Sequence, residues 1–255
     1  MRTKFVSLAV VLLAALALAA CDKRNDRAVQ GWVEAELVFV SPDEQGRVEV
    51  LKVREGDHVK KGELLFTLDK DLQKADVVVR QAAVSTAQQT FDRAEALLKS
   101  KSGTQKALDD AWAALRQAKA NLEWSKTRLA RRRAASPADG TIQEVYYRPG
   151  ETVPPGRPVI ALLPPDNLKI RFFVREGLLP DVKYGQTVDV SCDGCEQGLT
   201  AKVTFIAKSA EYTPPVIYSR EERAKLVFLI EARPAHPDKF RVGQPVTVTL
   251  PEQPK

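Results

Sequence analysis

Two stretches of the sequence share one pattern of glycines and decide the fold: GRVEVLKVREGDHVKKGELL at residues 46–65 and GTIQEVYYRPGETVPPGRPVI at residues 140–160. In each stretch the second glycine follows the first by ten residues, and the third follows by six more. Apolar and polar residues alternate between the glycines, which is typical of half-buried strands. The glycines are expected at turns, where a positive φ costs them little. Each copy is about thirty residues long and too small to bury a core alone, so the two copies are expected to pack together.

The segment between the two copies, residues 70–133, is predicted to be helical. It is rich in good helix formers, and from Asp71 to Arg133 it contains no proline and one glycine, Gly103. Residues of its second part follow the 3-4 spacing of a coiled-coil seam: Leu108, Ala111, Leu115, Ala118, Leu122, Ser125 and Leu129. The first part has a weaker match at Val77, Val84, Ala87, Phe91, Ala94 and Leu98.

The helical pattern is interrupted once, from Ser100 to Gly103. The two arms are therefore expected to fold back antiparallel, with Thr104 as the N-cap of the second arm. An arm of about thirty residues would be about 45 Å long. Two ordinary core helices are the alternative. They are disfavoured because each arm has a single narrow apolar stripe with charge elsewhere, as expected of a hairpin that projects into solvent or towards a partner.

Residues 166–255 are predicted to be an all-β region, a small barrel. The predicted strands are Leu168 to Val174, Thr187 to Ser191, Leu199 to Ala207, Leu226 to Ala232 and Val246 to Leu250. Glycine and proline cluster between them. Two turn-to-strand sequences are alike, Gly185 to Val188 and Gly243 to Val246.

The N-terminus predicts export and lipidation. Residues 1–20 have a basic start and an apolar run that is short for a membrane span, as in a secretory signal peptide. The sequence Leu-Ala-Ala-Cys ending at Cys21 resembles the lipobox of bacterial lipoproteins, in which this cysteine is acylated. Asp22 resembles the signal that retains lipoproteins in the inner membrane. The alternative to lipidation is an ordinary secretory signal that contains a cysteine. Residues 21–35 are predicted to be a tether.

The order of these parts resembles the periplasmic adaptor or membrane fusion protein family, which includes the hemolysin-secretion type. Residues 36–69 and 134–165 resemble the halves of a lipoyl- or biotinyl-type β-sandwich, here separated by the hairpin at 70–133. The fold class implied is α+β, mostly β. The resemblance implies a periplasmic subunit that links an inner-membrane transporter to a TolC-like outer-membrane channel. It also implies self-association as a trimer or hexamer.

The turn of the hairpin carries a second resemblance. Adaptors that dock on such channels have an arginine, a leucine four residues later and a serine seven residues after that. Arg93 and Leu97 match, and Thr104 stands where serine is usual. The resemblance implies that these three residues contact the channel. A solvated Arg93 and a Leu97 that packs only inside the hairpin are the alternatives.

Two later stretches resemble a subgroup of these adaptors that is often paired with ABC-type transporters. They are Thr213 to Tyr218 and Arg223 to Phe228. The resemblance favours an ABC-type partner over an RND-type partner.

Composition argues against nucleic-acid binding and catalysis. The net charge is +6, and lysine and arginine are interspersed with acidic residues except at Arg131 to Arg133. The sequence has no phosphate-binding glycine loop, paired-histidine metal motif or nucleophile elbow. We therefore expect no enzymatic activity, no cofactor and no metal.

Two motifs offer rival functions. Lys70 ends the first half, where a lipoyl or biotin carrier presents its modified lysine, but the predicted helix follows it directly. Cys192 and Cys195 could be a redox motif or half a zinc site. Predicted strands flank them, and Asp193-Gly194 favours a two-residue hairpin turn. A structural disulfide is therefore the preferred interpretation for an exported chain.

Overall fold

The computed structural model describes residues 27–212 and 226–251. The predicted signal peptide, Cys21, Asp22 and the stretch from Thr213 to Tyr218 lie outside these residues, as does the start of the stretch at 223–228. The described residues divide into two compact units, one made of residues 35–167 and the other of residues 27–34, 168–212 and 226–251.

Regular structure accounts for most of both units. The strands are β1 (Ala28–Ala35), β2 (Val38–Val40), β3 (Gly46–Leu51), β4 (His58–Val59), β5 (Leu64–Leu68), β6 (Arg133–Ala135), β7 (Gly140–Val145), β8 (Thr152–Val153), β9 (Ile160–Leu163), β10 (Leu168–Arg175), β11 (Thr187–Ser191), β12 (Leu199–Ile206), β13 (Glu211–Tyr212), β14 (Leu226–Pro234) and β15 (Pro245–Thr249). The long helices are α1 (Asp71–Lys99) and α2 (Gln105–Ala130). Short 3₁₀ turns lie at Pro165–Asn167, Glu176–Asp181 and Pro237–Lys239.

The two glycine-patterned copies form a sandwich of two four-stranded sheets, β2-β9-β7-β4 and β6-β5-β3-β8. Each copy lends its short strand to the sheet of the other, since β3 pairs with β8 and β7 pairs with β4. Val48 exchanges backbone hydrogen bonds with residues 150–151, and Ile142 does the same with residues 56–57. The prediction that the copies pack together is confirmed, because buried residues of both copies form one core.

The glycines of the repeat have two roles, of which the sequence predicted one. The second and third glycines of each copy have positive φ in turns, as expected. Gly46 and Gly140 instead begin strands, and the prediction of a positive φ turn is wrong for them. A Cβ on Gly140 would lie 2.6 Å from the carbonyl oxygen of Leu163, so this position requires glycine for close approach of the backbone.

The helices α1 and α2 pack along each other and form a helical hairpin, defined here as residues 71–130. Ser125 of α2 donates from Oγ to a carboxylate oxygen of Asp76 in α1 at 2.6 Å, as antiparallel helices allow. In α2 the side chains of Ala111, Leu115, Leu122 and Ser125 are buried, all of which belong to the predicted apolar seam. The seam of α1 is only half-buried, and α1 has no fully buried residue.

The second unit is a closed six-stranded barrel. Its strands follow the order β10-β1-β15-β11-β12-β14, and a pairing of β10 with β14 closes it. The five strands predicted from the sequence are confirmed within two residues at each end. The two similar turns also match: Gly185 and Gly243 both have a φ of 79°, and each is followed by a glutamine whose side chain accepts a backbone hydrogen bond.

The sixth barrel strand corrects one prediction. Residues 28–35, placed in the tether at 21–35, form β1 and pair with β15 from Ala28 to Trp32. Gly31 and Val33 are buried, which shows the alternation of a half-buried strand. The barrel could not close without this strand, because it fills the position between β10 and β15. In the described part of the chain, neither long helix is apolar enough to cross a membrane.

Candidate functional site at the hairpin tip

The hairpin tip, defined as residues 93–106, joins the end of α1 to the start of α2. The 29 residues of α1 carry the chain about 43 Å from the sandwich at 1.5 Å per residue. The tip is therefore the part of the sandwich unit farthest from the sheets, where side chains are open to a partner.

The turn at the tip closes with the hydrogen bonds of a Schellman motif. The amide of Lys101 donates to the carbonyl of Leu98, and the amide of Ser102 donates to the carbonyl of Leu97. Lys101 is in the left-handed region with a φ of 59°, the position that usually holds glycine. These backbone hydrogen bonds define the path of the turn, and that path sets the positions of the residues on either side of it.

Thr104 is the N-cap of α2, as predicted. It has extended backbone angles, and its Oγ1 accepts a hydrogen bond from the amide of Ala107 at 3.2 Å. The hydroxyl hydrogen is not used in this bond, so the hydroxyl of Thr104 can still donate to a partner. One residue thus serves both the helix start and the exposed surface.

Arg93 and Leu97 lie one turn apart on the same face of α1. Both are exposed, and Leu97 has 44% of its surface open to solvent. Gly103 brings Thr104 next to Leu97: its amide donates to the Leu97 carbonyl at 3.0 Å, and a Cβ on it would lie 3.0 Å from Leu97 Cβ. The three predicted residues therefore share one end of the hairpin, and Gly103 is the supporting residue that the sequence argument missed.

The base of the hairpin is fixed to the sandwich by an ion-pair cluster that the sequence did not predict. Arg128 of α2 binds both carboxylate oxygens of Glu44, at 2.7 and 3.0 Å. Arg132, whose side chain is 7% exposed, donates to Glu44 at 3.0 Å and to the carbonyl of Gln45 at 2.8 Å. Part of the basic run at 131–133 therefore serves the protein's own fold.

The electrostatics of this base cluster favour the charged forms. The hydrogen bond from Arg128, with the nearby charges of Arg128 and Arg132, lowers the pKa of Glu44 below its ordinary 4.5. Within the helical hairpin, the hydrogen bond from Ser125 and the charge of Arg80 lower the pKa of Asp76. Both carboxylates therefore remain ionised and bound at neutral pH.

The two rival motifs take other positions. Lys70 directly precedes α1, and its Nζ lies 3.1 Å from a carboxylate oxygen of Glu49. A carrier lysine needs a free side chain on a tight hairpin, so this arrangement disfavours the carrier function. Across the two described ranges, no cluster of histidine, cysteine or acidic residues could hold a metal ion.

Cys192 and Cys195 are joined by a disulfide, with Cα atoms 5.3 Å apart. The bridge closes one turn inside the connection from β11 to β12, in which the amide of Cys195 donates to the carbonyl of Cys192 at 3.1 Å. The prediction of a two-residue hairpin turn is wrong, because the two strands are separated by residues 192–198. The strands on both sides are unlike the helix that normally follows a redox motif.

Comparison with known proteins matches the sandwich unit to a family. The family model described as "RND MFP, barrel-sandwich hybrid domain" covers residues 36–163, half of the chain. A "UPF0194 membrane protein in asrC 5'region" of Acidithiobacillus ferridurans is 28% identical over 98% of this chain and 96% of its own length. That alignment spans 324 positions, so the relative has additional residues.

Two solved structures share the fold of this chain. A MacA-MexA chimeric protein that contains the Pseudomonas aeruginosa MexA α-hairpin domain has a TM-score of 0.70 and 23% identity, covering 88% of this chain and 80% of that one. The membrane fusion protein Spr0693 from Streptococcus pneumoniae R6 has a TM-score of 0.68 and 17% identity, covering 89% and 100%. The family match covers the sandwich of paired repeats, and the solved structures share its fold. The chain therefore belongs to the family of RND membrane fusion proteins with a barrel-sandwich hybrid domain.

Proposed function

We propose that this chain is the periplasmic adaptor subunit of a tripartite export system. It joins an inner-membrane transporter to a TolC-like outer-membrane channel, and it performs no catalysis. The observation that carries the proposal is the exposed cluster of Arg93, Leu97 and Thr104 at the end of the hairpin. Family membership supports the adaptor role, and the cluster supports channel docking.

The chemistry of the tip suits a helical partner. Leu97 supplies an apolar anchor, and Arg93 supplies a forked donor for carbonyl or carboxylate oxygens. Thr104 adds a hydroxyl donor beside them. A compact apolar contact with polar groups at its edge is a common way for one helical end to enter the groove between partner helices.

The base cluster supports a mechanical role for the hairpin. Glu44 joins two arginines at the end of α2 to the loop before β3, and one of these arginines is buried. A flexible joint would allow the tip to move over many positions. A fixed joint instead preserves the distance between the sandwich and the channel, which an adaptor requires.

Self-association, as a trimer or hexamer, is supported by an apolar stripe on the outer face of α1. The stripe has the 3-4 spacing of a second helix-packing seam. Its exposed apolar residues are Leu72, Ala75, Val79 and Ala82, and the polar residues Thr86 and Gln89 continue the spacing. Leu72 is 82% exposed and Val79 is 63% exposed. On α2, Trp124 is 58% exposed. We assign this stripe to a second copy of the chain, because neighbouring hairpins would bury it.

The class of transporter has two candidates. The resemblance of residues 213–218 and 223–228 to adaptors of ABC-type transporters favours an ABC partner. The description of the matching family model names RND systems. The ABC-type and RND-type partners are distinguished by cross-linking the adaptor in its native membrane and isolating it. Mass spectrometry then identifies the attached transporter.

Lipidation at Cys21 and retention by Asp22 would place the subunit at the periplasmic face of the inner membrane. Acylation at several positions gives a stable anchor, whereas one chain is marginal. The intact mass of the mature protein tests this directly. Acylated Cys21 as the N-terminal residue is expected, and an unmodified cysteine would contradict the anchor.

Docking is tested by a photo-crosslinking amino acid placed at residue 97 in the native bacterium. We expect a cross-link to an outer-membrane channel protein. The same amino acid at residue 72, at the opposite end of α1, is the control and should not reach the channel. A cross-link from residue 72 alone would contradict docking at the tip.

A functional test separates docking from folding. We expect Arg93→Ala/Leu97→Ala to abolish complementation of a deletion strain while leaving the thermal unfolding midpoint within about 2 °C, since exposed substitutions change stability little. Lys106→Ala/Asp110→Ala, which removes an exposed ion pair at the same end, is the matched control and should complement. Thr104→Asn keeps an N-cap residue and removes only the threonine surface, whereas Thr104→Ala loses the cap at a cost of about 1 kcal/mol.

A further inference from the structure

The barrel carries a groove on its outer surface to which the proposed function assigns no role. The groove has a volume of 580 Å³, within the range of about 300–1,000 Å³ typical of small-molecule sites. Lys202 and Arg233 lie along it, with Thr187 and Thr200 beside them and Tyr184 at one side. The turn at 182–186 forms this side, held by the amide of Gly185, which donates to the carbonyl of Val203 at 2.9 Å.

The two cations of the groove face each other across neighbouring strands. Lys202 of β12 is directly opposite Arg233 of β14, and Thr187 of β11 is opposite Lys202 on the other side. Like charges directly opposite each other destabilise a sheet. Among the described residues, neither cation has a carboxylate within ion-pair distance.

The acidic residues nearby do not neutralise the pair. Glu231, two residues before Arg233, binds Lys169 at 3.0 Å and Arg171 at 3.4 Å. Asp189, two residues after Thr187, forms no ion pair with Lys202. The groove therefore has a net positive charge, and an anion bound in it would remove the repulsion between Lys202 and Arg233.

The Tyr184 side of the groove lies near the start of β1. Ala28 at the start of β1 is opposite Thr249, Thr249 is opposite Asp189, and Asp189 is opposite Thr200 of the groove. Arg27, immediately before β1, binds Asp181 at 2.9 Å, three residues before Tyr184. Arg27, the first described residue, therefore lies near the Tyr184 side of the groove.

The distance to the proposed anchor is short. Arg27 is six positions after Cys21, so the two residues are at most about 22 Å apart in a fully extended chain. If Cys21 is acylated, as the proposed function holds, Arg27 and the Tyr184 side of the groove stay within about 22 Å of the acylated residue. An exposed tyrosine at the rim suits that position, because tyrosine places its ring and hydroxyl between apolar and aqueous surroundings.

We propose that the groove of Tyr184, Lys202 and Arg233 binds the phosphate of an anionic phospholipid headgroup in the membrane to which the chain is anchored. The lysine ammonium and the guanidinium both donate to phosphate oxygens, and the threonine hydroxyls add donors. Such binding would fix the orientation of the barrel on the membrane, which the acyl anchor alone leaves free.

The test uses the full-length mature protein in a nonionic detergent and the water-soluble headgroup glycerophosphoglycerol as the probe, followed by phosphorus NMR. We expect saturable broadening of the probe signal by the unaltered protein, and at least fivefold weaker binding by Lys202→Gln/Arg233→Gln. Lys60→Gln/Lys61→Gln removes the same charge from an exposed site on the sandwich and should bind as the unaltered protein does. The thermal midpoint of the groove variant should not fall, because the variant removes a like-charge pair.

Two further probes identify the source of the phosphate. Glycerophosphocholine, whose headgroup is neutral overall, should bind more weakly than glycerophosphoglycerol. Inorganic phosphate that binds as tightly as glycerophosphoglycerol would overturn the headgroup assignment, as would unchanged binding by the groove variant. Because this titration needs neither the anchor nor a transporter, its failure leaves the adaptor role standing. Absence of acylation at Cys21 would instead be detected in the intact mass of the mature protein.

Discussion

Lys101 shows how one residue at the tip can limit stability. It occupies the left-handed position of the Schellman turn, where a side chain costs an L-residue about 1–2 kcal/mol. We expect Lys101→Gly to stabilise the protein by about 0.5–1 kcal/mol, the difference between relief of this strain and the greater freedom of glycine in the unfolded chain. Thermal unfolding followed by helical circular dichroism measures the change.

A matched lysine provides the control for Lys101. Lys99 lies two residues earlier, inside α1, and Lys99→Gly should destabilise the protein by up to about 1 kcal/mol, because glycine is a poor helix former. A lower midpoint for Lys101→Gly would contradict the role assigned to the turn.

At the residue scale, local propensity predicts the side chains of the tip better than it predicts the residues that support them. Thr104 was predicted as an N-cap because threonine before a helical run has a local reason to be there. In the sequence, Gly103 is visible only as a break in the helical pattern. Its close approach to Leu97 depends on the path of the turn, and no local propensity encodes that path. Gly46 was likewise misread, since its reason is Arg132, whose Nη1 would lie 2.6 Å from a Cβ there.

At the scale of elements, the joint between α2 and the sandwich depends on the charge of Glu44. Its pKa is lowered mainly by the hydrogen bond from Arg128, so it stabilises the folded state above its unfolded pKa near 4.5. This stabilisation is lost as the pH falls through the lower folded-state pKa. We expect Glu44→Gln to cost about 1 kcal/mol at pH 7, because buried Arg132 loses its carboxylate while solvent screens a Glu44 side chain that is 38% exposed. The cost should shrink as the pH falls below 4.5.

Denaturant unfolding of both proteins at several pH values between 3 and 7 checks this dependence. Glu95→Gln removes a partly exposed carboxylate that pairs with Lys99 at 3.2 Å on the helix surface. Exposed pairs contribute about 0–1 kcal/mol, so this control should show a small cost. An equal cost for Glu44→Gln at every pH would contradict the role of its charge.

Helices and strands can be predicted from the sequence where apolar residues recur at a clear period. The seam of α2 repeats over seven positions, and the strands of the barrel alternate, so both gave strong local patterns. Strand β1 was missed because it follows a polar stretch and pairs with β15, more than two hundred residues later. Its place in the sheet is set by the closure of the barrel, which no local pattern reveals. The base cluster was missed for the same reason, since Glu44 and Arg132 meet only in the folded chain.

At the scale of the whole molecule, the stripe on α1 predicts how copies meet. We expect Val79→Asp to weaken self-association of the purified full-length protein at least tenfold in dissociation constant, because a desolvated charge in an apolar helix interface costs more than 1.4 kcal/mol. Sedimentation velocity over a range of concentrations measures it. Ser85→Asp adds the same charge at an exposed position of α1 outside the stripe, and association should remain. Equal behaviour of the two variants would contradict the stripe as the contact surface.

The insertion of the helical hairpin between the two halves of the sandwich also has a consequence for folding kinetics. Strands β5 and β6 pair with each other, yet more than sixty residues separate them in sequence. Closing a flexible loop costs more entropy as it lengthens, by about 0.6 kcal/mol for each doubling. If α1 and α2 pair first, they bring residues 70 and 131 together and replace one long closure by a series of local steps. The hairpin would then speed the search for the native sheet, and variants that weaken the contact between α1 and α2 would slow refolding even where the sandwich core is untouched.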